Sequence, residues 1–351
     1  MKQLKTVRLL QNKISFLLDV SASKKLTIIS LIALFTFFFS ASFGDSFINP
    51  LKVIQAIIGQ GSEFDQLIII DFRLPRIFIA AFAGIALAVA GAILQGIIKN
   101  PLASPDIIGI SAGGGAAVVG FLALFSDSNH SLTVSIEWLP LAGFIGATVV
   151  ALIVYIFAWK DGVTPNRLVL IGIAVSAFMQ AITTMLMIIG PIYQASEANK
   201  WITGSVKSAD WNQVQIIVPL IILLLFITVF ITRQLNVQEL GDDTAASLGQ
   251  TIQKTRLFLL LLSSSLVASA IAFAGAIGFV GLMAPHIARR IVGPSFGVLI
   301  PTSAFIGALL VMVADIIGRT AFSPLEVPAG VFTAAIGAPY FIYLLLRNTK
   351  K

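Results

Sequence analysis

The chain contains no cysteine, so disulfides, thiol nucleophiles and cysteine-ligated metals are excluded together, while the compartment is left open. Charge is scarce as well. Charged residues make up 11% of the chain, where soluble domains carry roughly 25%. No G-x-x-x-x-G-K-[ST] segment occurs, so this chain does not hydrolyse ATP by the P-loop route, and any pumping needs a partner that does. Ionisable residues are missing from the centres of the apolar runs, where each charge would cost at least about 2.5–3.5 kcal/mol. That disfavours a proton relay. Sodium held by backbone carbonyls and hydroxyls alone would need no such residue, so an ion-coupled secondary carrier stays open as an alternative of another class.

Apolar residues, at 57% of 351, supply what charge does not. A spanning helix needs about 20 of them, and the runs accommodate about ten spans joined by short loops. The expected fold is an all-α polytopic membrane protein with both termini cytoplasmic. Residues 1–25 form a basic cytoplasmic lead, 26–347 a single transmembrane domain and 348–351 a cytoplasmic tail. The first apolar run, Leu26 to Phe43, exceeds the 7–15 residues of a signal-peptide core and is read as an uncleaved span. After a short amphipathic external piece near 50–58, further spans fall near 76–98, 106–125, 139–159, 167–190, 212–232, 255–275, 279–293, 298–317 and 329–346. The span 279–293 is the weakest, being short and holding Pro285, His286, Arg289 and Arg290. His130 falls in an external loop. Of the 23 Lys and Arg, all but Lys52, Arg73, Arg76, Lys200, Lys207 and Arg319 fall on the cytoplasmic side. The net charge of +7 is therefore spread over span ends and forms no nucleic-acid patch.

The stretch Gly91 to Gly115, GAILQGIIKNPLASPDIIGISAGGG, has the most specific patterning. Ahead of and into it, Ala80, Gly84, Ala88, Ala92 and Gly96 recur every fourth residue and give one helix a face on which another backbone can lie close, a main source of helix association in lipid. Lys99-Asn100-Pro101 ends that helix. Ser104-Pro105-Asp106 restarts one, with Ser104 as expected N-cap and Pro105 at the first helical position. By helix chemistry alone, a tight cytoplasmic turn and a functional loop are both open. Gly91-Ala92-Ile93 with Pro101 is echoed by Gly275-Ala276-Ile277 with Pro285, a pattern compatible with an inverted repeat.

The longest cytoplasmic loop, 233–254, is broken at Gly241 and Gly249. Leu235, Val237, Leu240 and Leu248 offer apolar contacts for docking, and Asp242 and Asp243 open a short helix at its positive end. An amphipathic loop lying on lipid is the rival, disfavoured by two aspartates beside an anionic leaflet.

Seven ordered segments carry a family resemblance: RLPR at 73–76, GAILQGIIKNPLASPDIIGISAGGG at 91–115, WITGS at 201–205, LGDDTAASLG at 240–249, GAIGFVGLMAPHIARRIVG at 275–293, ADIIGR at 314–319 and EVPAGVFTAAIGAPYFIYLLLR at 326–347. Together they resemble the FecCD family of ABC importer permeases, type II importers that take up ferric siderophores, haem and cobalamin. The resemblance implies a transport subunit with no catalytic, cofactor or metal residues of its own. It implies a bacterial cytoplasmic-membrane location, a second permease subunit (homodimer or heterodimer), two cytoplasmic ATPase subunits that bind ATP and magnesium, surrounding membrane lipid and an extracytoplasmic binding protein. It does not imply nucleic acid.

Residue by residue, the resemblance places Arg73, Arg76 and Arg319 at binding-protein docking, against the alternative that they pair locally with Asp71 or Asp315. It places Leu240, Gly241, Asp242, Ala245, Leu248 and Gly249 at ATPase coupling. Asn100, Leu102, Pro165 and Asn166 fall at the cytoplasmic gate, where Pro165 and Asn166 depart from the small hydroxyl residues of some members. Gln95 is either a pathway residue or a buried tie between helices. Trp201, with Thr203 and Gly204, is either part of the external mouth or an interface anchor. The expected cargo is an iron(III)-siderophore complex, with haem or cobalamin as the alternative.

Overall fold

The computed structural model describes residues 4–9, 14–44, 46–126, 132–160, 162–190 and 192–348. His130 and the last three residues of the expected cytoplasmic tail lie outside them.

The membrane part is helical throughout, but the basic lead is not. Strands β1 (Leu4–Leu9) and β2 (Ile14–Asp19) pair antiparallel, Leu4 opposite Asp19 and Leu9 opposite Ile14. This corrects the all-α expectation. Thr6, Val7, Ile14 and Phe16 favour extended backbone, and the polar run Gln11-Asn12-Lys13 separates them, a hairpin pattern masked by the count of basic residues. Asp19 then caps α1 (Val20–Ser40) by accepting the Ala22 N–H at 3.1 Å.

The sequence assigns one side of the fold to the exterior and the opposite side to the cytoplasm, and the amphipathic α2 (Pro50–Ile57), with Asn49 as its cap, lies on the first. Next, α3 (Glu63–Gln66) runs through a π-helical stretch, Leu67–Arg73, into α4 (Leu74–Ile98). Then follow α5 (Ile110–Leu124), α6 (Leu139–Ala158), α7 (Pro165–Ile189), the external α8 (Ile192–Thr203) and α9 (Trp211–Glu239). The cytoplasmic α10 (Asp242–Ser247) precedes α11 (Ile252–Ala274), α12 (Val280–Val292), α13 (Phe296–Thr320) and α14 (Ala329–Asn348). Seven helical stretches among the described residues are long and apolar enough to cross a membrane, those containing α1, α4, α6, α7, α9, α11 and α13; α5 and α14 are shorter apolar helices.

The axis of the fold is α4. Nearly every side chain from Ile77 to Ile98 is buried, and the helix packs against α13, α11, α12 and α9. The small-residue face is the reason. A Cβ on Gly84 would collide with Gly307 O of α13, and one on Gly91 with Gly281 O of α12, so these backbones touch where only hydrogen fits. Gly96 lies under Phe296 and Leu235. By contrast α1 lies on the periphery against α13 and α12, with Ile28, Leu31, Phe35 and Phe38 exposed on its outer face. Lys25 Nζ anchors its cytoplasmic end to Ile291 O at 2.8 Å.

Two chain breaks enter the fold from opposite faces. From the cytoplasmic end of α4, residues 99–109 climb back as turns, with Lys99 left-handed at φ 54°. From the external end of α11, residues 275–279 descend before α12 starts, with Gly275 at φ 68° and Phe279 at φ 66°. They meet where Pro105 packs on Gly281 and Asp106 accepts the Phe279 backbone N–H. Irregular backbone at this position needs protein partners for its polar groups, and Asp106 supplies one to the break before α12.

The start of α5 corrects another expectation. Ser104 and Pro105 do not begin that helix; Gly109, at φ 84°, does, and α5 runs from Ile110. Gly172 of α7 lies so close to Ile108 that a Cβ there would fall 2.7 Å from the Ile108 Cα, and Gly109 faces Ser176. This crowding shapes 104–109 as a turn and overrides the local capping signal.

Candidate functional site

Arginines 73, 76 and 319 converge at the external end, as the motifs suggest, but all three turn inward. Arg73, 7% exposed, donates from Nη1 to Ala41 O at 2.7 Å and from Nη2 to Ser46 O at 2.6 Å, lying over Gly44. Arg76 donates from Nε to Asp315 Oδ1 at 2.8 Å and from Nη1 to Glu326 Oε2 at 3.0 Å. Arg319 donates from Nη2 to the carbonyl and hydroxyl of Ser40 at 2.9 and 2.6 Å, and its Nε lies 3.5 Å from Asp315 Oδ2. Asp315, 2% exposed, thus sits between two guanidinium groups.

Burying a cation requires that its N–H groups find acceptors, and the loop after α1 supplies carbonyls for this. Of the two local partners considered from the sequence, Asp315 is engaged and Asp71 is exposed. Lys207 is exposed, and its Nζ stands 3.7 Å from Glu326 Oε1.

The WITGS segment lies beside this cluster as a backbone knot. Trp201 O accepts the Ala276 N–H at 2.9 Å, Gly204 O accepts the Gly330 N–H at 3.0 Å, and Gly330 is pressed against Thr203 O. One loop therefore secures both the break before α12 and the start of α14. The Trp201 ring, with Trp138, lines an external cleft of about 730 Å³ between α6, α8, α9 and α11. None of Gln95, Asn100, Leu102, Pro165 or Asn166 lines it.

At the cytoplasmic end, Gln95 is 2% exposed, and its Nε2 lies 3.4 Å from Ala103 O and 3.3 Å from Leu282 O. It ties α4 to the 99–109 turn and to α12, the second of its two sequence readings. Asn100 is exposed and accepts the Leu102 N–H at 2.9 Å, folding the turn on itself, with Leu102 half-buried. Across from it, Pro165 occupies the first turn of α7 and Asn166 is exposed.

The coupling segment divides into buried and projecting parts. Leu240 and Leu248 are each 63% exposed and flank α10, whereas Ala245 is fully buried. Gly241 at φ 113° and Gly249 at φ 84° take conformations that side chains resist, and so bound the helix sharply. Leu235, expected as a docking contact, is instead fully buried against Gly96, because α9 continues to Glu239, well past the expected end near 232.

Asp242 is the junction of this end. Its Oδ1 accepts from Lys99 Nζ at 2.8 Å and its Oδ2 from Arg256 Nη2 at 3.0 Å. Partial burial would raise its pKa, but the hydrogen bonds and charges of Lys99 and Arg256 outweigh that and hold the carboxyl below its usual range. Arg256, 2% exposed, also donates from Nη1 to Val163 O, and Gln253 Oε1 accepts the Val163 N–H at 3.0 Å. Neither Arg256 nor Lys99 stood out in the sequence. An acid at a helix start with a cation in the first turns of the next helix is a signal for Arg256, but one shared with ordinary solvated loops, and Lys99 ends a helix 143 residues away.

Similarity to known proteins supplies the remaining constraint. Residues 32–347 match the model of the FecCD transport family. The chain is 58% identical over 309 residues to the "Probable siderophore transport system permease protein YfhA" of Bacillus subtilis, covering 88% of this chain and 90% of that one. It is 44% identical to the iron(3+)-hydroxamate import system permease protein FhuG of the same organism, over 90% and 95% of the two chains. It is 42% identical to the achromobactin transport system permease protein CbrC of Dickeya dadantii, over 96% and 95%. Among solved structures, the one described as "An inward-facing conformation of a putative metal-chelate type ABC transporter" superposes with a TM-score of 0.79 at 28% identity, covering 93% of this chain and 99% of that one.

Proposed function

The chain belongs to the FecCD transport family, and from that premise we propose that it is the membrane-spanning subunit of an ATP-driven importer of iron(III)-siderophore complexes. The observation that carries this reading is α10. A six-residue helix with Leu240 and Leu248 projecting is a surface fit for a partner, and a chain without a P-loop needs one. The cargo class rests on relatives named for iron chelates. Iron is cargo here; ATP and magnesium belong to the ATPase pair.

In this reading α1, α4, α5, α6, α7, α9, α11, α12, α13 and α14 make ten passes through the bacterial cytoplasmic membrane, with both termini inside. A second permease subunit completes the pathway at the axis between them, with Asn100, Leu102, Pro165 and Asn166 at its cytoplasmic mouth. A binding protein delivers cargo to the external end. The inward-turned Arg73, Arg76 and Arg319 shape that docking surface, and the exposed Lys207 beside Glu326 presents charge to the arriving protein.

The test is uptake of radiolabelled iron by proteoliposomes. Ferric siderophore should accumulate only when both permease subunits, the ATPase pair, the loaded binding protein and ATP are all present. Accumulation by this chain alone under an ion gradient would overturn the proposal and favour a secondary carrier.

A further inference from the structure

The ion pairs at Asp242 reach two separate segments of the cytoplasmic mouth. One arm runs through Lys99 Nζ, 2.8 Å from Oδ1, to the residue that opens the Lys99–Leu102 turn; Lys99 holds a left-handed backbone there. The other runs through Arg256, which spans from Asp242 to Val163 O, the residue before Thr164 and the α7 start at Pro165. That second arm is doubled by Gln253, which accepts the Val163 N–H and lies over Gly162, where a Cβ would meet Gln253 Nε2 at 2.5 Å.

Covalent continuity alone would not couple α10 to these places. It is six residues long, set off by Gly241 and Gly249, and Ala245 is its one buried side chain. A displacement of so short a helix between two glycine joints dissipates in the joints unless a side chain carries it. Asp242, at its first position, is the side chain that does so, and at 44% exposure it also stands where a docked ATPase would push. Asp243, beside it, makes neither contact.

We propose that Asp242 is the positioning residue that transmits movement of α10 to both sides of the cytoplasmic gate at once, through Lys99 to the 99–102 turn and through Arg256 to the 163–166 turn. This rests on the reading of the chain as the permease of an ATP-driven importer. The arrangement makes the two gate segments move together, because both are tied to one carboxylate, and it ties gate position to ATPase position. Asp242 touches no cargo.

The experiment measures iron uptake and ATP hydrolysis separately in the complete complex, so that uptake per ATP can be formed. Asp242→Asn should lower uptake per ATP at least about fivefold, the lower range of allosteric couplings, with the complex still assembled and hydrolysing. Lys99→Gln, on the more exposed arm, should lower it less. The Lys99→Gln, Asp242→Asn pair should be no worse than Asp242→Asn alone, since both remove one linkage. Asp242→Glu should recover part of the loss.

Wild-type uptake per ATP in Asp242→Asn, or strictly additive effects of the two substitutions, would overturn the proposal while leaving the assigned function intact. Should Asp242→Asn fail to assemble, Lys99→Gln decides the matter, and an unchanged ratio there removes the first arm. Absence of ATP-driven uptake by the unsubstituted complex would remove the functional reading and this proposal with it.

Discussion

The two ends of the molecule each gather cations around one aspartate, yet they are built for opposite purposes. Externally, Asp315 is 2% exposed between Arg76 and Arg319, and the surrounding guanidinium donors end on Ser40, Ala41, Ser46 and Glu326. Internally, Asp242 is 44% exposed and, through Lys99 and Arg256, joins the turns at 99–102 and 163–166. Buried and ion-paired, the first cluster welds α1, α4 and α13. The second is a joint in which the carboxylate and Lys99 are open to water and only Arg256 is buried.

The sharpest way to break this comparison is to remove each aspartate in turn. Asp315→Ala leaves Arg76 and Arg319 without a shared counter-charge in a desolvated place, and should cost about 3–5 kcal/mol of stability. Asp242→Ala should cost less, since the carboxylate and Lys99 face water and only Arg256 of its two partners is left buried. Thermal unfolding of both variants in detergent measures the difference, and equal losses would erase the distinction between weld and joint.

A smaller effect probes the external surface. Lys207→Glu should slow association of the binding protein by up to about tenfold, with the difference shrinking as salt rises, and should leave thermal stability unchanged. Stopped-flow mixing at two ionic strengths tests this, and a salt-independent rate would place docking elsewhere.

The smallest expected effect is an absence. Lys99 and Arg256 hold the folded Asp242 carboxyl below its ordinary range, so its contribution is complete above the unfolded value and is lost only as pH falls through the lowered one. Uptake should show no titration from this group between about pH 5 and 8. An inflection in that window that disappears in Asp242→Asn would contradict the ion-paired assignment.

Much of this was legible before the structure. The stripe through Gly84, Ala88 and Gly96 foretold a helix lying backbone to backbone with its neighbours, because period-four spacing puts those residues on one face regardless of context. Pro50 to Ile57, Gly241 and Gly249 were legible for the same reason: their signals are local. Gln95 was readable as two things, and its hydrogen bonds to α12 and to the 99–109 turn chose between them. The hairpin before α1 was hidden by its charges. Leu235 looked like a docking contact because nothing local shows that α9 continues through it to Glu239.

What the chain by itself determined is therefore everything set by composition and short-range spacing: a polytopic helical membrane protein without a P-loop, with a close-packing central helix and a short glycine-bounded helix. What only the tertiary structure decided is which charges face which. Ser40 lies 279 residues from Arg319, Asp315 lies 239 from Arg76, and Asp242 lies 143 from Lys99. Local propensity extends over a few residues, whereas the pairing of a charge depends on where every other helix comes to rest. For that reason the sequence left the three arginines open between docking and a local pair, and the packed helices pair Arg76 and Arg319 with Asp315.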